Sequence, residues 1–561
     1  MNIHLAKSPS TGLHYVYLTE SYRDKNGKPQ RRFIERIGIL EEMQEKEPHV
    51  LERLRQEAKS MTKKDKDTKT YQFSVQMNQK IDMSQQLYNY GYSLIKHVYE
   101  QMDVPSFVKD YQSRRKADYD LSQIIELLVY GRMIDPRSKL STHQRKQQFF
   151  MGFEDIKLEE IYKSLDDLTS LKDDLMIHLN DELKAQGLRD ASLVFYDVTN
   201  YYFESVEFDG FRERGVSKEN KETGIVQMGL FIDNKGLPIT YELFPGNTHD
   251  LATMRPILEK IKKQFNLGKL TIVADKGNNS AQNLAMIESY GDDYIIAQRI
   301  RNRGNTYSNI VLDEADYVYN ADKTFKYKLV SFDKEVKIAD GSIRVIPEHL
   351  MCFWSRDEEL YQRAKRGLLE DKIEKFIKEP SLLNASNSFG IKKYFKKVKI
   401  DKKTGEVLKG KDTYVFNQEK YERDLALDGY YTIVTNNLEL HPFDIIKHYR
   451  QLSKIEESFK VTKSDLEGRP VYVWKESHIK GHFLTCYLAL LFYRILQLKL
   501  DNRYPVHQIK EAFRKANCIE ITQGIYKMIP STPLFYELSK QFDKDFGYEY
   551  MTVGDIKRQM K

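Results

Sequence analysis

The apolar positions of this chain change period several times, and each change marks a boundary. Near the N-terminus, HYVYLTESY and RRFIERIGIL alternate apolar and polar residues on either side of a turn at Asp24 to Pro29, DKNGKP, which predicts a β-hairpin. A charged stretch ending in SMTKKDKDTK, residues 60–69, reads as a linker or an exposed helix end. Between residues 85 and 188 the spacing is helical, as in LSQIIELLVYGRMI and LEEIYKSLDDLTSLKDDLMIHLNDELKA. From Leu193 short apolar runs take over. They predict three strands (LVFYDVTNYYF, IVQMGLFID, LPITYELF), a helix (LATMRPILEKIKKQF), a fourth strand ending in VAD, a short helix (NSAQNLAMIESY) and a fifth strand (DYIIAQ). Regular order then stops until the apolar strand YYTIVTN and the helix-like run from Asp444 to Lys463. Structureless connections of that length are uncommon, so the intervening segment is expected to be a β-rich mixed insertion subdomain. The expected division is a hairpin and charged linker (1–70), a helical domain (71–190), a first catalytic part (191–299), the insertion (300–425), a second catalytic part (426–500) and a C-terminal helical region (501–561).

A chain of 561 residues is long enough for several cores. Lysine and arginine number 89 against 82 acids, a net charge of +7, so basic residues matter only where they cluster. In the helical region Arg114, Arg115 and Lys116, and then Arg137, Lys139, Arg145 and Lys146, form groups that suit either phosphates or solvated helix faces. The three cysteines, Cys352, Cys486 and Cys518, are too scattered for a zinc site or a disulfide framework and fit a reducing interior. The run FLTCYLALLFYRILQLKL is interrupted by Arg494 and reads as a buried core helix. With no secretory apolar core at MNIHLAKSPSTG, the expectation is a soluble cytoplasmic protein with no membrane partner.

Candidate chemistry comes from acids in apolar surroundings. In DIIKHYRQLSKIEESFKVTK a continuous helix would place Ile445, Tyr449, Leu452, Glu456, Phe459 and Lys463 on one stripe, so Glu456 is expected to face inward, where it needs a cation, a donor or a metal. Asp197 lies inside an apolar strand, and Asp275 ends another just before a Lys-Gly turn. Together the three acids suit two Mg²⁺ ions and hence nuclease or polynucleotidyl-transfer chemistry. Each also has an ordinary reading: Asp275 as a turn cap, Asp197 as a buried structural acid, Glu456 as a partner of Lys460 or Lys463. Thr199 shares the strand face of Asp197 and either orients that carboxylate or is a plain strand threonine.

Three antiparallel strands followed by helix, strand, helix and strand is the order of the ribonuclease-H-like fold, with acids on strand one and after strand four. The fold class expected is therefore α/β: a ribonuclease-H-like catalytic domain interrupted by the insertion and preceded by the hairpin and the helical domain.

The segments YDVTNYYFE around Asp197, PGNTHD at Pro245 to Asp250, VADKGNNS around Asp275 and YRQLSKIEESFKVTKSDLEGRPVYVW from Tyr449 to Trp474 resemble the DDE transposases of bacterial insertion sequences. The group most similar is the insertion sequence four superfamily, with its Tyr-Arg-Glu-Lys signature and an insertion before the glutamate. The resemblance assigns Asp197, Asp275 and Glu456 as catalytic metal ligands, and Tyr449 and Lys463 as the signature tyrosine and lysine. The signature arginine slot holds Leu452 instead, and Arg450 lies nearby on another side of the helix. The resemblance further implies two Mg²⁺ ions, with Mn²⁺ as a substitute, double-stranded DNA partners (terminal inverted repeats and target DNA), and a homodimer that pairs two ends at the bacterial nucleoid. The helical domain would bind the ends. Tyr449, Arg450 and Lys463 would contact DNA, where helix packing is the alternative. In KKYFKKVKIDKK, Lys392, Lys393, Lys396 and Lys397 beside Tyr394 and Phe395 suit a surface that follows a phosphate backbone and stacks an unpaired base, or an edge hairpin protected by lysines. Two rivals stand beside the transposase: a ribonuclease-H-like nuclease that never joins DNA, and a catalytically silent DNA-binding descendant.

Overall fold

The computed structural model describes residues 2–9, 12–23, 29–47, 49–67, 86–115, 118–215, 222–301, 306–338, 341–379, 390–400, 407–522 and 524–561. They form two compact units, Met1–Ser84 and Gln85–Lys561.

In the first unit the alternating segments form strands His14–Arg23 and Pro29–Ile39, paired antiparallel. The turn that joins them falls on residues 24–28, outside the described residues. A strand that the sequence pattern did not announce, Asn2–Lys7, pairs with the other side of His14–Arg23. Helices Leu40–Lys46 and Val50–Asp67 follow, and the second includes much of the charged stretch. Val16 packs with Val50 and Leu54 into a small core.

The second unit is built on a sheet whose strands are β1 (Leu193–Tyr202), β2 (Ile225–Asp233), β3 (Pro238–Pro245), β4 (Thr271–Ala274), β5 (Asp293–Ala297), β6 (Phe325–Lys337), β7 (Ile343–Ser355) and β8 (Tyr430–Thr435). Among the described residues the sheet has nine strands, ordered Val318–Tyr319, β6, β7, β8, β5, β4, β1, β2, β3. Only β1 with β4 and β4 with β5 run parallel. The stretch β3-β2-β1-β4-β5, with β1 to β3 antiparallel, is the strand order of the ribonuclease-H-like fold.

Helices cover both faces, which is why all nine residues of β2 are buried. On one face a Cβ at Gly229 would meet the Tyr196 hydroxyl and Ile257 of helix Asp250–Gln264. On the other, Tyr241 of β3 lies under the Lys172 ammonium of helix α1 (Leu158–Ala185) and beside Tyr487 of the long C-terminal helix Glu476–Lys499. That last helix carries the apolar run, and 94% of its most apolar window is buried inside the protein. Arg494, the charge that interrupts it, points inward to Glu457 and Ser458.

Where Glu476–Lys499 crosses α1, the backbones meet at Gly481: a Cβ there would sit 2.5 Å from the Leu165 carbonyl oxygen. Gly481→Ala is expected to push the helices apart and destabilise the unit by about 1–3 kcal/mol. A chemical-denaturation midpoint lowered relative to the parent chain checks this.

The inserted segment differs from a free-standing subdomain. Its long hairpin β6–β7 pairs along 13 positions, and β7 pairs with β8, so half of the insertion widens the main sheet. Such hairpins hide their backbone by joining an open edge. The rest, helix Arg356–Lys378, the hairpin Phe395–Ile400 with Val407–Phe416 and helix Gln418–Ala426, encloses its own core of Ile373, Phe376, Ile391, Tyr394 and Phe395. The C-terminal region, expected to be helical, carries strands beside its helices. Strands Asn517–Thr522, Ile525–Met528 and Tyr550–Thr552 join Leu87–Asn89 in a four-stranded sheet, because NCIEIT and IYKM carry the period of two rather than that of a helix.

Candidate active site

Strands β1 and β4 run parallel with Tyr196 opposite Ala274, so the next residue of each, Asp197 and Asp275, emerges at the same level of the sheet. Strand β4 stops there because Asp275 builds a turn. Its Oδ1 accepts the Gly277 amide at 2.7 Å and the Asn278 side-chain amide at 3.2 Å. Gly277 fits because a Cβ would come within 2.8 Å of that same oxygen. Asp275 thus has the turn-capping role as well as its place beside Asp197. Asp197 Oδ1 accepts the Val198 amide at 2.7 Å. Both acids are partly exposed.

The third acid arrives on a helix that is not continuous. The expected helix from Asp444 to Lys463 is split into α2 (Pro442–Arg450) and α3 (Ser453–Lys460), followed by a π-turn at Val461–Asp465. At the break the amides of Gln451, Leu452, Lys454 and Ile455 bond three residues back, to His448, Tyr449, Gln451 and Leu452. Tighter winding adds roughly 20° per residue, so the stripe rotates by roughly 80° across the break. The expectation that Glu456 faces inward is therefore corrected: Ile455 and Phe459 are buried and Glu456 is exposed.

Contacts at both ends of α3 nevertheless place Glu456 over β1. The Lys454 ammonium lies 5.6 Å above the Phe195 ring and donates to the Asn234 carbonyl. At the other end the Lys463 ammonium donates to the Thr199 hydroxyl. Nine helical residues and four strand residues each span about 13–14 Å, so the segment from Lys454 to Lys463 runs alongside β1 past Asp197.

Burial first, and then the nearby Asp275 charge, the Tyr431 phenol and the charges of Glu456 and Asp197, push the Tyr449 hydroxyl well above the usual phenol range. One hydroxyl thus feels all three acids. It stays a neutral donor rather than adding a negative charge.

These donors suit hard divalent cations: three carboxylates, reachable by solvent, beside parallel strand ends. Among the described residues the His, Cys and acid set whose donor atoms all lie within 4.8 Å of one another is Asp103, His178 and Glu182, on other elements. The sheet acids are therefore not closed on one another as a single-ion chelate would be.

The remaining candidates divide. Thr199 carries Lys463 on its hydroxyl, a partner the strand pattern alone did not indicate. Leu452, in the arginine slot, is buried in the core, and Arg450 is exposed. In the insertion Lys392 and Lys396 are exposed, Lys393 pairs with Asp424 at 2.8 Å, and the Lys397 side chain lies outside the described residues. Tyr394 and Phe395 do not offer a base-stacking surface: both are buried under Ile373 and Phe376, and the Tyr394 hydroxyl serves Asp424. Of the basic groups in the helical region, Arg137 and Arg145 pair with Asp135, and Arg114 with Asp110. Lys116 lies outside the described residues. Lys139 is buried 3.3 Å from His482 Nδ1, where burial pushes its ammonium down to about 7.

Two family models match the chain. The transposase DDE domain model matches residues 197–492, and the model of the IS1634 family transposase N-terminal domain matches residues 5–72. No curated protein matches the chain. Among solved structures, the Mos1 transposase paired-end complex with left transposon end is 12% identical and aligns over 32% of this chain and 59% of its own, with a TM-score of 0.14. The Mos1 mariner paired end complex with Mn is 12% identical over 35% of this chain and 66% of its own, also with a TM-score of 0.14. The chain thus spans less than two thirds of either Mos1 chain.

Proposed function

We propose, starting from the fact that this chain belongs to the DDE transposases, that it cleaves the DNA ends of an insertion sequence and joins their 3′-hydroxyls to target DNA. What supports the reading is that Asp197 and Asp275 leave two neighbouring parallel strands at one level, with the helix that carries Glu456 held alongside β1 by Lys454 and Lys463. Asp197, Asp275 and Glu456 would hold two divalent ions, Mg²⁺ with Mn²⁺ as a substitute. When bound, such a pair activates water or a 3′-hydroxyl and stabilises the leaving 3′-oxygen during in-line displacement. Tyr449, kept neutral, donates to a carboxylate or phosphate oxygen without adding charge. Lys463 offers its ammonium to a phosphate beside Asp197, and Arg450, exposed one residue after Tyr449, is available to the DNA backbone. Two ends must be paired before joining, which a homodimer supplies.

Duplex DNA carrying the element's flanking ends, incubated with the protein with and without Mg²⁺, tests the reading. Cut and joined products support it. Cutting without joining favours a nuclease, and binding without cutting favours a silent DNA-binding descendant.

The exposed lysines of the inserted hairpin give a separate prediction. Lys392→Ala with Lys396→Ala is expected to weaken end binding and to lower the slope of log affinity against log salt by about 1.8, at ~0.9 per phosphate contact. Titrations at several salt concentrations check it; an unchanged slope removes the hairpin from the DNA path.

A further inference from the structure

Strand β4 ends in a turn that grips the Asp275 carboxylate by one oxygen. Oδ1 takes both donors that the turn supplies, the Gly277 amide and the Asn278 side-chain amide, and among the described residues Oδ2 takes none. Asn278 is itself held firmly. It is 1% exposed, its amide donates to the Asp275 carbonyl at 3.1 Å, and its carbonyl accepts the Ser280 amide and the Asn283 side-chain amide, each at 3.0 Å. Asn283, also buried, lies in the first turn of helix Ala281–Ser289, where the Ser280 hydroxyl accepts its backbone amide. The orientation of the Asn278 side chain follows from charge. Its Oδ1 is buried without a hydrogen-bond partner, and exchanging the nitrogen and oxygen would set that oxygen against the carboxylate. A buried oxygen without a partner is costly, and the Gly277 amide already closes the turn. What the Asn278 side chain adds is a second grip on Oδ1.

We infer that Asn278 is a positioning residue for Asp275: its side-chain amide fixes the carboxylate through Oδ1 and leaves Oδ2 as the oxygen open to a divalent ion. Groups that orient a metal ligand in this way commonly matter nearly as much as the ligand. Two neutral N–H donors hold the carboxylate without cancelling its charge, whereas a cationic side chain in that place would repel the metal. The neighbouring Asn279 supplies a contrast within the same turn. Its side chain donates to the Ala297 carbonyl at 3.0 Å and to Gln298 Oε1 at 2.9 Å, and so braces the turn against the end of β5. The inference rests on the reading of Asp275 as a metal ligand.

The test is Mn²⁺ binding by the full chain without DNA, read as free Mn²⁺ by electron paramagnetic resonance, beside the melting temperature of each metal-free variant. Asp275→Asn is expected to lower Mn²⁺ affinity most. Asn278→Ala, and Asn278→Leu, which removes the donor but fills the buried space, are expected to lower it on the order of tenfold or more. Asn279→Ala is expected to lower the melting temperature while keeping the parent's Mn²⁺ affinity. Because Asn278 acts through Asp275, Asn278→Ala combined with Asp275→Asn should bind Mn²⁺ no more weakly than Asp275→Asn alone. An Asp275→Asn affinity equal to that of the parent sinks the metal-ligand reading and the inference with it. With Asp275→Asn weakened, the inference alone is overturned if the Asn278 variants match the parent, if Asn279→Ala loses as much affinity as Asn278→Ala, or if the double variant shows added losses. Failure of both Asn278 variants to fold overturns it too, since the residue would then serve the turn itself.

Discussion

Asp197→Asn, Asp275→Asn and Glu456→Gln are each expected to abolish Mg²⁺-dependent cleavage and joining while the protein still binds DNA ends. Each substitution keeps the side chain's shape and one oxygen but removes the charge and turns an NH₂ toward the place of a cation, and hard divalent ions need anionic oxygens. Losing several kcal/mol of stabilisation of the in-line transition state slows the reaction on the order of 10³-fold or more. The direction for binding is opposite. Without metal the three acids repel phosphate, so each neutral variant is expected to bind ends as tightly as the parent or slightly more tightly. Because the acids act as a unit, double variants should be no slower than single ones. Cleavage gels with fluorescence anisotropy on the same duplex separate the two effects. A variant that keeps its rate within about tenfold is not a metal ligand. Asp275 has a second duty in the Gly277 turn, so Asp275→Asn also needs a check of folding, for which its one remaining oxygen is suited.

The strand order was legible because apolar run length separates strands from helices wherever both faces are buried, as in β2. Two of the acids were legible for the same reason: a carboxylate breaks such a run visibly. Glu456 was singled out on a premise that the structure corrects. Its stripe assumed one continuous helix, and the tightened turn at Gln451–Leu452 carries no glycine or proline to announce it. The partnership of Thr199 with Lys463 was hidden because it joins residues more than 260 apart. Its nearest sequence signal is the period of two from Asp197 to Thr199, which fixes a face but not what lies against it. In the insertion, composition misled. Lysines flanking Tyr394 and Phe395 look like a nucleic-acid surface, but both aromatic residues are buried in a small core with Ile373, Phe376 and Ile391. Burial there depends on helix Arg356–Lys378, where Ile373 and Phe376 are buried but Leu360, Tyr361, Leu368 and Ile377 are exposed, so its apolar residues mark no single face.

Removing the carboxylate of Asp233 is expected to be the most destabilising single change near the site. Asp233 and Arg189 are almost wholly buried and meet at 3.0 Å. The same carboxylate accepts the amides of Asp190, Lys235 and Leu237, which folds the turn between β2 and β3. Arg189 donates in addition to the Leu237 and Pro238 carbonyls. Asp233→Ala leaves a buried guanidinium without its counter-charge, a loss of about 3–5 kcal/mol. Many buried pairs tolerate joint replacement by apolar residues, but this one should not. Arg189→Met with Asp233→Leu still strands the three amides, at about 1–3 kcal/mol for each one left unsatisfied. The double variant is therefore expected to remain well below the parent in denaturation midpoint. The site follows the turn, because the Asn234 carbonyl holds Lys454, two residues before Glu456. With the turn loosened, α3 loses its anchor on β1, and cleavage should fall in the fraction of Asp233→Ala that stays folded. A double variant as stable as the parent would show that the amides find other partners and that the carboxylate matters only as a counter-charge.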